Sequence, residues 1–395
     1  MSKIKNLFGL ILYKIAPIKK NRYLFTSFNG HYSDNTKAIS EKLHLISNNA
    51  EIIWLVERKY MKDLPSYVKG VDINSLKGFW CRGTATAQID NVYGFCANYL
   101  TSDSKKAKRK ARLLTFLQSK KKQSIYTTMH GTPLKRIGRD QVGNIVYDLY
   151  TKNTSLLVGD EFSAKIFKGV TFGKMPISVV GSPRNDLLFD KSNNYKEKLG
   201  LPSDKKIILY APTFRNDGKD VEGKNVKRSG IDQLNAMDFD LLFNTLKEKF
   251  GGEWVMVLRF HYHVANLVDW DRLNNKYPGK FINGNFFDDM ALYLAACDLL
   301  VSDSSSCMFD YLNTKRPCFI FFPDLDNYQN NERGFYLDIE TLPFDVAKDF
   351  STFIKNVKGF DNSKYQEKII QFKERIGDKN DGKASDRIVK IILTK

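Results

Sequence analysis

Twice along the chain, short β-branched and aromatic runs alternate with amphipathic helical stretches, and this rhythm constrains the fold more than any other feature. In the first half "RYLFTSF" (22–28) reads as a strand. "SDNTKAISEKLHLISNN" (33–49) then opens on capping residues and carries helical periodicity. "EIIWLVE", "QSIYTTM", "SLLVG" and "ISVVG" are further strands. After "SNNYKEKLGLPSDK" the rhythm restarts: "KIILYAP", a helix over 234–250, "WVMVLRF", the helix "DDMALYLAAC", "LLVSD", the helix "SSSCMFDYLN" and "PCFIFF". Alternation of this kind predicts parallel sheets with crossover helices. A chain of 395 residues exceeds one core. The expected architecture is therefore α/β with two doubly wound, Rossmann-like domains, divided near 190–204: a segment 1–22, a domain 23–195 and a domain 196–395. Ligands of such sheets bind beyond the carboxyl ends of the strands, so the expected site is a cleft between the domains.

Charge narrows the partners. Lys plus Arg number 62 against 44 acids, a net of +18, a field that draws polyanions, anionic membranes or phosphate-rich substrates. Five cysteines (Cys81, Cys96, Cys297, Cys307 and Cys318) form no CxxC pair, which argues against zinc and a disulfide framework and fits a reducing cytoplasm. No run approaches the roughly 20 apolar residues of a membrane-spanning helix, and no cleavage site follows 7–13, so no secretory signal is expected.

Two segments read as membrane-surface elements. In "KIKNLFGLILYKIAPIKK", Ile4, Leu7, Phe8, Ile11 and Ile15 recur at helical spacing beside Lys3, Lys5 and Lys14; a core helix explains the same pattern equally well. "KKAKRKARLLTFLQSKKK" (105–122) sets Lys105, Lys106, Lys108, Arg109, Lys110 and Arg112 before an apolar "LLTFL", a composition suited to anionic lipid. No recognition motif or stacking pattern favours nucleic acid.

The motifs at strand ends carry the chemistry. In "TTMHGTPLKRIGRD", His130 follows a strand, where its pKa suits a general base. "LYAPTFRND" places Arg215, and "LRFHYH" places Arg259, His261 and His263, at the ends of other strands, a set suited to a diphosphate. In "LLVSDSSSCMFDYL", Ser304, Ser305 and Ser306 precede a helix; one serine serves as an N-cap, three favour a phosphate at the helix N-terminus.

Together "MHGTPLKRIGRD", "GSPRND", "LYAPTFR", "LRFHY", "SDSSSCMFDYLNTKRP", "ERGFYLD" and "NDGKASDRI" resemble, in order, the CDP-glycerol glycerophosphotransferase family of teichoic acid and capsule synthases. The resemblance runs from about Gly30 to the C-terminus. It implies a GT-B architecture, CDP-glycerol as donor and a polyprenyl-diphosphate-linked acceptor at the cytoplasmic face of the bacterial membrane. It also implies attack by an acceptor hydroxyl with release of CMP. By this resemblance His130 and His261 are catalytic. Gly131, Thr132, Arg215, Arg259, Ser304, Ser305 and Ser306 bind substrate, and Asp303 and Asp310 position that loop or the donor. No cofactor is implied, no carboxylate cluster resembles a magnesium site, and other cell-wall polymer synthesis enzymes are conceivable partners. His263 has no role carried over. Alternatives stay open: a CDP-ribitol donor, a nucleotide-sugar glycosyltransferase of the same fold, or a non-catalytic basic protein binding RNA or anionic lipid.

Overall fold

A computed structural model describes residues 3–91, 97–100, 109, 113, 116–140, 147–150, 153–170, 175–192, 194–213, 230–260, 268–286, 289–331 and 334–394. The chain forms two compact units: 1–132, 137–186 and 376–395 make the first, 133–136 and 187–375 the second.

In the first unit, helix α1 (Lys3–Ile15) leads into β1 (Arg22–Phe25), α2 (Asp34–Ile46), β2 (Glu51–Val56), β3 (Lys69–Asp72), α3 (Leu76–Thr84) and β4 (Ala87–Asp90). β5 (Ala97–Leu100) pairs antiparallel with β7 (Tyr147–Tyr150) outside the main sheet. The sheet continues with β6 (Ser124–Thr127), β8 (Thr154–Val158), α4 (Glu161–Val170) and β9 (Ile177–Val179). Its seven strands are all parallel in the order β3-β2-β1-β4-β6-β8-β9. Alternate residues face opposite layers, as the period of two requires. Phe25, Trp54, Ile89, Tyr126 and Leu157 pack with Ile39 and Leu43 of α2. Leu24, Ile53, Leu55, Ile125, Leu156 and Val158 pack with Phe167 and Val170 of α4.

The second unit holds α5 (Tyr195–Lys198), β10 (Lys206–Ala211), α6 (Gly230–Asn235), α7 (Phe239–Phe250), β11 (Trp254–Leu258), α8 (Trp270–Lys276), β12 (Phe281–Asn283) and α9 (Met290–Ala296). β13 (Leu299–Ser302), α10 (Cys307–Tyr311), β14 (Cys318–Phe321), α11 (Leu325–Asn331), β15 (Asp345–Ala347), α12 (Phe350–Gly359) and α13 (Asn362–Ile376) follow. Six parallel strands run in the order β12-β11-β10-β13-β14-β15. Both sheets reverse direction beside their first strand, between β1 and β4 and between β10 and β13. That is the dinucleotide-fold strand order, with a ligand-binding crevice at each reversal.

The domain limits differ from the sequence expectation in three places. The chain leaves the first unit after Asp186 rather than near 195. Residues 133–136 belong to the second unit: Arg136 N–H donates to the Gly334 carbonyl at 2.9 Å and Tyr336 N–H to Leu134 at 2.8 Å. The last residues return to the first unit as α14 (Ala384–Leu393), because Ile388, Val389 and Ile392 bury there at 0, 0 and 4% exposure. Each such burial is worth about 1.5–3 kcal/mol.

The segment 1–22 is not separate either; α1 belongs to the first unit and has two apolar faces. Leu10, Tyr13 and Ala16 are buried, while Ile4, Leu7, Phe8, Ile11 and Ile15 are 83, 57, 50, 47 and 66% exposed. The helix thus buries one apolar face in the first unit and leaves another exposed. No described helix is long and apolar enough to cross a membrane.

Candidate active site

The loops beyond β1, β4 and β6 meet at the switch point of the first sheet. After β6, Met129 and Gly131 have φ of 50° and 114°, so His130 sits between two left-handed residues. Asp34, at the start of α2, is left-handed too, with φ of 64°. A non-glycine residue keeps that conformation only where its surroundings impose it. Here Asn35 Nδ2 donates to the Met129 carbonyl at 3.0 Å, and Asn35 Oδ1 accepts from Arg184 N–H at 3.0 Å. Arg184 spans the gap: Nη1 donates to Asp34 Oδ2 at 2.8 Å and Nη2 to the His130 carbonyl at 3.0 Å. Phe28 meets the His130 ring edge-on at 5.1 Å.

The His130 residue is exposed at its surface, yet protein crowds the ring. That crowding holds its pKa below the ordinary value of 6.5; Asp34 and the Asn91 carbonyl oppose the shift and Arg184 adds to it. A lowered pKa favours the neutral imidazole, which carries one acceptor nitrogen, the form a general base requires. Asn91 is itself fully buried and donates to Ser27 Oγ at 3.0 Å.

Thr132 is engaged elsewhere. It is buried, and its hydroxyl donates to Asp160 Oδ2 at 2.7 Å, while Asp160 Oδ1 caps α4 through Ser163 N–H at 2.6 Å. Burial pushes the Asp160 carboxyl up. The geometry gives Thr132 a buried partner in Asp160 and Gly131 a left-handed turn conformation.

In the second unit Asp303 follows β13 and is fully buried. Its carboxylate accepts from Thr213 N–H at 2.9 Å and Ser304 N–H at 2.5 Å, so it pins the β10 and β13 loops together. Ser304 is buried and its hydroxyl donates to Thr213 Oγ1 at 3.4 Å. Ser305 Oγ lies 3.5 Å from Cys307 N–H, and Ser306 caps α10 without a side-chain hydrogen bond. With five residues, α10 has a weak macrodipole; the N–H groups of Met308 and Phe309 already donate to Ser305 and Ser306. The helix-terminus argument is therefore weaker than the sequence suggested, and the hydroxyls of Ser305 and Ser306, only partly buried, are what the loop offers a ligand. Asp310 is buried at 5% exposure within α10.

Arg259, just past β11, donates through Nη1 to the Gly284 carbonyl at 2.7 Å and lies 4.9 Å over the Tyr293 ring. A side chain on Gly284 would meet Val257 at 2.7 Å, so glycine is what lets this loop approach the arginine. Arg215, His261 and His263 lie outside the described residues.

Of the membrane candidates, Lys105, Lys106, Lys108, Lys110 and Arg112 also lie outside them. Lys3 and Lys5 stand in α1, and Arg109 is helical and exposed. Lys14 departs from expectation: its Nζ donates to the carbonyls of Phe116 and Ser119 at 3.0 and 2.6 Å and covers the Phe116 ring at 4.5 Å. Lys14 staples the two basic segments together.

Two of the motifs behind the family resemblance are architectural. Ser182 N–H donates to Asn380 Oδ1 at 2.8 Å, and Asp186 caps α14 through Ala384 and Ser385 at 2.9 and 2.7 Å. Gly181, with φ of 86°, would bring a Cβ within 2.9 Å of Ala384, so no larger residue fits. "GSPRND" and "NDGKASDRI" are two halves of one clasp within the first unit.

The residues that sequence reading passed over are Asp34, Asn35, Asn91 and Arg184. Their one signal was polar side chains just after apolar strands, and only the strand order shows which strand ends are central.

The family model described as CDP-Glycerol:Poly(glycerophosphate) glycerophosphotransferase matches residues 10–394. A teichoic acid glycerol-phosphate transferase of Staphylococcus aureus is 31% identical over 400 residues, 95% of this chain and 93% of its own. A teichoic acid poly(glycerol phosphate) polymerase of Staphylococcus epidermidis is 30% identical over 95% of this chain, which spans about half, 51%, of that longer protein. The solved structure of the wall teichoic acid polymerase TagF superposes with a TM-score of 0.74 at 28% identity, covering 99% of this chain and 93% of that one. The two Rossmann-like units are those of a GT-B enzyme, and the chain belongs to the CDP-glycerol:poly(glycerophosphate) glycerophosphotransferase family.

Proposed function

We propose that the protein transfers glycerol phosphate from CDP-glycerol to a hydroxyl of a polyprenyl-diphosphate-linked acceptor in wall teichoic acid synthesis, releasing CMP. The observation that carries this reading is His130, set just after β6 at the switch point of the first sheet, with its carbonyl held by Arg184 at 3.0 Å and its imidazole kept below the ordinary pKa by burial. The acceptor nitrogen of the neutral ring takes the proton of the acceptor hydroxyl as that oxygen attacks the glycerol-bearing phosphorus. A new P–O bond forms, the bond to the bridging diphosphate oxygen breaks, and CMP leaves with the electron pair. Phosphoryl transfer depends on positioning and charge compensation more than on covalent chemistry. Arg259 and the hydroxyls of Ser305 and Ser306 supply that compensation at the carboxyl edge of the second sheet, with Asp303 and Ser304 holding their loop. Arg215 and His261 are proposed contributors from the same edge.

The acceptor's lipid places the enzyme on the cytoplasmic face of the membrane. What supports this is the exposed face of α1, joined by Leu113 and Phe116 at 58 and 65% exposure. Such a basic, apolar surface seats in the headgroup layer. Neutralising the basic residues of 105–122 should release the protein from anionic liposomes; unchanged sedimentation sinks that part.

The deciding assay offers CDP-glycerol and CDP-ribitol in parallel with a lipid acceptor analogue and follows CMP. Acceptor-dependent CMP from CDP-glycerol supports the reading, CMP from CDP-ribitol alone replaces the polyol, and CMP from neither overturns it. Product mass separates a primer from a polymerase.

A further inference from the structure

We infer that Arg184 is a positioning residue for His130, acting with Asp34 and Asn35 to hold the histidine loop in the conformation that presents its acceptor nitrogen. The inference deepens the reading of His130 as base and rests on it. Arg184 is the side chain that reaches both left-handed segments: it binds the Asp34 carboxylate at 2.8 Å and the His130 carbonyl at 3.0 Å. Its own N–H binds Asn35 Oδ1, and Asn35 in turn binds the Met129 carbonyl. The strained residues on either side, Met129 and Asp34, are therefore each tied to Arg184 directly or through one amide.

The clasp gives this arrangement a fixed base. Two residues before Arg184, Ser182 is bound to Asn380; two residues after, Asp186 caps α14. Arg184 thus projects from a turn whose two flanks are anchored to the C-terminal segment. Both side chains of the Arg184–Asp34 pair are 13% exposed. The planar fork of an arginine serves two acceptors in one plane; a lysine offers a point charge and cannot.

The charges that face His130 are Asp34 and Arg184, together with the Asn91 carbonyl. Asp34 favours the imidazolium and Arg184 opposes it. Pairing the two keeps a carboxylate close to the histidine without letting it charge the base. A purely structural ion pair would have no reason to share its guanidinium with the carbonyl of the catalytic residue.

The test uses the full chain and two readouts. The first is CMP release with CDP-glycerol and acceptor; the second is the titration of His130 by ring 13C NMR, its signal assigned with His130→Ala. Arg184→Ala should lower kcat about 100-fold, the cost of a small misplacement of a reacting group, with the KM for CDP-glycerol within about threefold. Its His130 pKa should move up, that of Asp34→Asn down, and the double variant should return near the wild-type value. Arg184→Lys keeps the charge and should lose about 10-fold in kcat with little movement of the pKa. The inference is overturned if the His130 titration stays fixed in Arg184→Ala and Asp34→Asn, or if kcat falls only in step with the folded fraction. Should Arg184→Ala not fold, Arg184→Lys and Asp34→Asn decide. Turnover retained by His130→Ala overturns the base reading and this inference with it. A dead His130→Ala beside a fully active Arg184→Ala overturns this inference alone.

Discussion

The two switch points make an instructive pair. Each lies at the carboxyl edge of a parallel sheet with the same strand order about its first strand. In the first unit the loops are strained, with Asp34 left-handed and a histidine between left-handed Met129 and Gly131. In the second no described residue of the loops just after β10 and β13 is left-handed, and a buried carboxylate, Asp303, gathers the backbone N–H groups of Thr213 and Ser304. At one edge the hydrogen bonds hold the backbone on both sides of a histidine; at the other they shape a loop of serines. On the proposed reading, one sheet geometry serves a proton acceptor in one unit and an anion site in the other, the chemistry set by the residues after the strands.

The comparison breaks most sharply at His130. His130→Ala should cut turnover by about 10²- to 10⁴-fold while CDP-glycerol binding by calorimetry stays within a few-fold; loss of binding and of fold together would make His130 a packing residue. Asp303→Ala should do the reverse. It removes the acceptor of the Thr213 and Ser304 N–H groups, costs about 2–4 kcal/mol in denaturant unfolding, and raises the donor KM more than it lowers kcat. An unchanged KM would detach that loop from the donor.

Smaller effects sharpen the boundary between site and scaffold. Thr132→Val removes the hydroxyl that serves Asp160 and should cost about 1–3 kcal/mol with donor KM unchanged; a raised KM would restore Thr132 to the substrate. Asp186→Ala removes the cap of α14 and should cost about 0.5–2 kcal/mol in thermal unfolding. The smallest is a pH effect. The depressed pKa of folded His130 means that, between that value and 6.5, the unfolded chain binds the proton and the folded one does not. Stability from this group is therefore full above 6.5 and lost as pH falls toward the folded pKa. His130→Ala should flatten that part of the stability profile, and an unaltered profile contradicts the shift.

Much of the second sheet was legible because its strands are unbroken apolar runs: "KIILYA", "WVMVL" and "CFIF" are strands over nearly the expected residues. β3, β4, β12 and β15 were missed, being three or four residues long and weakly patterned. The expected single helix 234–250 is two, 230–235 and 239–250, with Asp238 capping the second through Leu241 N–H. In the site, His130 was legible as a histidine after a strand. Arg184 was not, because its partners Asp34 and His130 are 150 and 54 residues away in sequence.

The sequence by itself determined the α/β class, the two-unit plan and the family, because local periodicity and an ordered set of motifs are properties of the chain read in a line. Only the tertiary structure decided that the last helix returns to the first unit, that Lys14 binds the Phe116 and Ser119 carbonyls, and that "GSPRND" and "NDGKASDRI" clasp each other. It also decided that Thr132 serves a buried carboxylate while Arg184 reaches the histidine. Each of these depends on which distant polar group is close enough to satisfy a buried donor or acceptor, and that is set by packing and strand order, not by neighbours in sequence.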